Sequence, residues 1–138
     1  MAGWADNGKR ADAVLYSGDA IVDLGVLAAP YDIASFALGI NNEGQVVGQS
    51  NSSFPDSAAF LYSGGAMLDL NSMISPSSGW QLTTATAIND NGQIVGYGTN
   101  PSGQTDAFLL TPTPEPSAFV LLAVGAVALI GYRWRRRR

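Results

Sequence analysis

Cysteine and histidine are both absent from the 138 residues of this chain, and each absence removes a class of chemistry. Without cysteine there is no disulfide framework, no thiolate zinc site and no cysteine nucleophile. Without histidine there is no Ser-His-Asp relay, and the commonest general base and metal ligand are gone. Basic side chains are scarce as well, and unevenly placed. Residues 1–132 hold Lys9 and Arg10 against all eleven acids, a net of −9, whereas the last six positions hold Arg133, Arg135, Arg136, Arg137 and Arg138, a net of +5. The formal −4 of the whole chain is an average over two unlike pieces. Segregation of this kind marks a boundary or an address rather than a fold. An acidic body also repels phosphate, which argues against nucleic acid as a partner.

The arginines close an apolar run. Residues 118–132 (AFVLLAVGAVALIGY) carry no charge. As a helix they would span roughly 22 Å, against a hydrocarbon core of about 30 Å. The composition predicts a short transmembrane α-helix over 118–132, lengthened slightly by snorkelling of Arg133. Positive charge stays in the cytoplasm, so the arginines of 133–138 act as a stop-transfer signal and the body faces away from it. Before the run comes an extended, stiff linker, residues 112–117, because Pro112, Pro114 and Pro116 cannot continue a strand or a helix interior.

Pro114-Glu115-Pro116, an apolar helix and terminal arginines, in that order, resemble the PEP-CTERM sorting signal of Gram-negative bacteria. The resemblance covers residues 114–138. It implies that an exosortase, a membrane-embedded cysteine protease, cuts near the motif, making this chain a substrate rather than an enzyme. It also implies transient residence in the inner membrane with the body in the periplasm. Delivery to the cell surface or to exopolysaccharide follows. Such proteins are exported through an N-terminal signal peptide, and residues 1–20 contain no apolar stretch of that type.

The body, residues 1–111, is built from repeats. Ile40-Asn41-Asn42-Glu43-Gly44-Gln45-Val46-Val47-Gly48 matches Ile88-Asn89-Asp90-Asn91-Gly92-Gln93-Ile94-Val95-Gly96 at an offset of 48, and the offset persists from Ala59-Phe60-Leu61 to Ala107-Phe108-Leu109. Ala13-Val14-Leu15-Tyr16-Ser17-Gly18 matches Ala59-Phe60-Leu61-Tyr62-Ser63-Gly64 at an offset of 46. The expected units are a partial one at 1–36, a full one at 37–84 and a partial one at 85–111. Short apolar runs alternate with Asn- and Gly-rich turns, which predicts hairpins. Four strands in about 48 residues is the size of one β-propeller blade. The fold expected is thus an all-β repeat body of incomplete propeller-like blades, with the third unit stopping after its third strand. Met1-Ala2-Gly3 falls where Val46-Val47-Gly48 falls, so the repeat array is expected to extend upstream of residue 1.

These residues resemble the HAF repeats of bacterial extracellular proteins. The position of the family's histidine is Ala58 in one copy and Asp106 in the other. The resemblance implies an extracellular location and no particular activity.

Three chemistries have candidate residues on the body. The turns Asp6-Asn7-Gly8, Asn41-Asn42-Glu43-Gly44 and Asn89-Asp90-Asn91-Gly92 each hold at most one carboxylate, too few for a good calcium site; no metal and no cofactor is expected. Asp23 and Asp69 recur at equivalent positions, whereas an acid/base pair is built once, so they are expected to be structural and the chain not to be an enzyme. Phe60 and Phe108 are equivalent and should be core. Trp4, Trp80 and Tyr97 lie outside matched positions and are candidates for stacking on a glycan. The leading expectation is a non-enzymatic surface or extracellular-matrix protein with a cleavable sorting tail. The alternative is a permanently anchored single-pass protein whose β-repeat ectodomain binds a partner or glycan.

Overall fold

A computed structural model describes residues 1–6, 8, 10–52, 56–113 and 119–122. Among these, three antiparallel sheets follow one another along the chain. The first is β1 (Ala2–Asp6), β2 (Ala11–Ser17) and β3 (Ala20–Gly25). The second is β4 (Ala34–Ile40), β5 (Val46–Asn51), β6 (Ser57–Ser63) and β7 (Ala66–Asp69). The third is β8 (Gln81–Ile88), β9 (Ile94–Thr99), β10 (Thr105–Pro112) and β11 (Phe119–Leu122). Neighbours in sequence are neighbours in each sheet, so every sheet is a simple meander. The all-β expectation agrees with this. Two short 3₁₀ turns, Leu70–Met73 and Pro76–Ser78, lie between the second and third sheets.

Period-2 alternation explains how the sheets pack. In the second sheet Val46, Ala58 and Phe60 point toward the first sheet and share a cluster with Ala13, Leu24 and Leu27. Their chain neighbours Val47, Ala59 and Leu61 point the other way and share a cluster with Leu82, Ala85, Ile94, Phe108 and Leu110 of the third sheet. Both faces of the middle sheet are therefore apolar, and the three sheets form a stack. Phe60 and Phe108 are fully buried at equivalent places, as the repeat predicts.

The 48-residue offset survives in detail. The register shifts at Ala37/Gly39 between β4 and β5, and again at Ala85/Ala87 between β8 and β9. The β4–β5 and β8–β9 turns are also copies of each other. The Asn41 side-chain oxygen accepts from the amides of Glu43 and Gln45, both at 3.0 Å, and its Nδ2 donates to Gln45 Oε1 at 2.8 Å. Asn89 makes the same three bonds to Asn91, Gln93 and Gln93 Oε1. Such local bonding is why Asn is chosen at a turn. Asn41 Nδ2 also donates to the carbonyl of Asn89 at 3.0 Å, tying one turn to the next. Asn41→Ala should therefore lower stability by about 1–2 kcal/mol, more than Asn100→Ala, whose side chain serves its own turn at Ser102 and Gln104. Urea titration of the two variants checks the order.

Two expectations about strands are corrected. The third sheet does not stop after three strands, because β11 supplies a fourth. That strand comes from the run expected to be helical: Phe119–Leu122 pairs antiparallel with Leu109–Pro112 of β10. The physical reason is that β10 has an open edge, and an apolar segment can satisfy its backbone groups there. Phe119 and Leu121 pack against the core cluster while Val120 faces out. The remainder of the expected span, 118 and 123–132, lies outside the described residues. No helix among the described residues is long and apolar enough to cross a membrane.

Candidate functional site

The candidate site is the C-terminal segment that begins at Pro112 and the cleft of the body at its start. β10 ends at Pro112, β11 begins at Phe119, and the six residues between them in sequence include Pro114, Glu115 and Pro116. The sorting triplet and the arginines Arg133, Arg135, Arg136, Arg137 and Arg138 lie outside the described residues. The body presents a cleft of about 330 Å³ at the start of the linker, lined by Glu43, Gln45, Ser63, Asp90, Asn91 and Pro112. Pairing of equivalent turns builds it. Asp90 accepts from the Asn42 amide at 2.8 Å and from Asn42 Nδ2 at 2.7 Å, and Gln45 Nε2 donates to Ser63 Oγ at 3.2 Å. The cleft walls are hydrogen-bonding groups, and most of these already serve the turns. Sequence reasoning missed the cleft because it forms between units, from residues whose repeat role is the turn itself.

The carboxylates suspected of chemistry hold turns. Asp23 accepts from the Gly25 amide at 2.8 Å, and Asp69 accepts from the Asn71 amide at 2.8 Å, capping the first 3₁₀ turn. Asp6 accepts from the Gly8 amide at 2.8 Å. These are the local bonds that make Asp a turn residue. No group of three or more metal-ligating side chains occurs among the described residues. Asp12 is the buried acid, and its Oδ1 meets Arg10 Nε at 2.6 Å. Burial pushes the Asp12 carboxyl above the ordinary carboxylate range, Arg10 opposes this, and Asp23 adds to it. The folded chain thus binds this proton more readily than the unfolded one. The contribution of Asp12 to stability is largest in acid and declines as pH rises through that range.

The three aromatic candidates are not brought together. Trp4 is on the first sheet, 56% exposed, with its ring edge-on to Phe36 at 5.5 Å between centroids. Tyr97 is 45% exposed on the third sheet, facing away from the stack. Trp80 is half-buried and packs against the cluster between the second and third sheets. A large apolar ring at the mouth of a core is more stable covered than wet.

Neither a curated protein nor a solved structure matches the chain. One protein-family model does. From Pro112 to Arg138, beginning at the last residue of β10, the chain matches the PEP-CTERM protein-sorting motif.

Proposed function

We propose that this chain is a non-enzymatic surface or matrix protein whose tail is a sorting signal cut by an exosortase. The observation that carries this reading is the match to the sorting motif over residues 112–138, supported by the segregation of +5 onto the last six residues. Pro114-Glu115-Pro116 is the stiff recognition segment. The run 118–132 holds it at the inner membrane as a helix, and the arginines stop transfer. Entry into the bilayer requires β11 to leave β10. Four residues at a sheet edge are among the easiest elements to release, because local opening free energies are lowest where few contacts hold. The body is an extracellular HAF-type repeat unit arranged as propeller-like blades, a reading supported by the stacking of three meandering sheets at a repeat offset.

The proposal is tested by expressing the chain, fused to an export leader, in a host with and without an exosortase. The expected result is a shortened product outside the inner membrane when the protease is present, and full-length chain in the membrane fraction when it is absent. Identical products in both hosts would refute it. Full-length chain retained at the membrane in both would mark a permanent anchor instead.

A further inference from the structure

β11 fills a place that the repeat assigns to another segment. In the second sheet β6 is followed by β7, with Tyr62 opposite Met67 and Ser63 opposite Ala66 across the turn Gly64-Gly65. The equivalents of Tyr62 and Ser63 on β10 are Leu110 and Thr111, which lie opposite Leu121 and Val120. At the repeat offset of 48, however, Ala66–Asp69 corresponds to Pro114-Glu115-Pro116-Ser117. Proline brings no N–H to a ladder, so that stretch is unfit to be the fourth strand. The position is taken instead by Phe119–Leu122, residues that lie in the apolar run and come six places later than the repeat would have them. The contact is a packed one, because Phe119 and Leu121 lie against the core cluster between the second and third sheets.

Seated there, the tail cannot also span a bilayer. Phe119–Leu122 supplies four of the eight Phe, Val, Leu and Ile residues of 118–132. With β11 in the sheet, 123–132 is all of the run that remains before Arg133. As a helix that remainder would cover about 15 Å of a hydrocarbon core about 30 Å thick. The two seats of Phe119–Leu122 therefore exclude each other. We propose that β11 is an autoinhibitory latch, which holds the sorting segment on the body until an anionic lipid surface takes it. This inference rests on the reading of residues 112–138 as a sorting signal and adds a holding state to it. In water the sheet is the better seat, since it covers Phe119 and Leu121 and pairs their backbone. At a bilayer the balance reverses. Lipid also covers Val120, which the sheet leaves 58% exposed, and the five terminal arginines are drawn to anionic headgroups.

A reversible lock on the latch tests this. Directly opposed strand residues have Cα atoms about 4.5–5.5 Å apart, a separation that a disulfide bridges. Thr111 and Val120 are such a pair, and the chain has no cysteine to compete. Full-length T111C/V120C is synthesised cell-free without lipid, oxidised, and offered to vesicles of phosphatidylethanolamine and phosphatidylglycerol. Flotation after a high-salt wash, which removes attachment by charge alone, reads insertion. The assay contains no exosortase, so its outcome is separate from whether the signal is cut. The expected result is a disulfide formed in solution, loss of vesicle-bound chain on oxidation, and recovery on adding reductant. T111C and V120C alone should float equally with and without oxidant. Equal flotation of the locked and reduced double variant would overturn the proposal. So would cysteines that fail to pair before lipid is added, or a reduced chain that never floats.

Discussion

Gly48→Ala and Gly96→Ala are each expected to destabilise the protein by about 3 kcal/mol, while Gly3→Ala leaves stability nearly unchanged. The three glycines occupy the same place in successive repeats, so sequence alone would assign them one fate. The structure separates them. A Cβ on Gly48 would run into the backbone carbonyl of Phe36 on β4 and approach Phe60 Cε2 to 3.0 Å. On Gly96 it would run into the carbonyl of Thr84 on β8 and approach Phe108 Cζ to 2.8 Å. Backbone oxygens in a sheet cannot step aside, and both phenyl rings are fully buried. On Gly3 the nearest atom is Tyr16 Cε2 at 3.8 Å, an ordinary contact. The reason is topological. β5 and β9 each have a preceding strand pressed close by the bulge in the ladder, and β1 is an edge strand among the described residues. Thermal unfolding of the three variants checks the contrast, with the first two expected well below the parent and the third within a degree or two. Equal losses at all three positions would mean that the close approach is not what fixes glycine there.

Replacing Pro114-Glu115-Pro116 with three alanines is expected to abolish processing and leave the full chain at the inner membrane. The substitution removes two prolines and one carboxylate from a segment that sits between a sheet strand and an apolar run. Proline holds a chain extended and without helix. On the proposed reading, in which 118–132 becomes helical in the membrane, alanine would let that helix extend back toward the body, so both the recognised side chains and the helix-free linker would be lost. The body should fold as before, because the buried residues of its two core clusters run from Ala13 to Leu110. Gel mobility of the cell-fractionated variant reads the effect. Normal processing of this variant would remove the role assigned to the triplet.

Much of the body was legible in the sequence because β structure writes itself with a period of 2 and its turns with Asn and Gly. Asn41 and Asn89, Gly48 and Gly96, and Phe60 and Phe108 stand 48 residues apart and do the same work in each sheet. What was not legible depended on neighbours. The apolar run from Phe119 onward reads as a helix when judged by hydrophobicity and its closing arginines. Its first four residues nonetheless complete a sheet, because β10 offers an edge that no composition reveals. The half-burial of Trp80 is not legible for a similar reason. The tryptophan recurs nowhere in the repeat, and what covers it is the cluster between two sheets. The cleft at Glu43 and Asp90 arises where two equivalent turns meet, a relation between units rather than within one.

Charge ties these points together. The −9 of residues 1–132 belongs to the body and its linker, and the +5 belongs to the last six residues. A sorting signal uses the second and discards it. The most direct measurement is the intact mass of the chain recovered from the surface or medium of cells that hold an exosortase. A mass lacking at least Arg133 to Arg138, with its new C-terminus near Pro114-Glu115-Pro116, is the predicted result. A surface-recovered chain that retains all five terminal arginines would contradict the account.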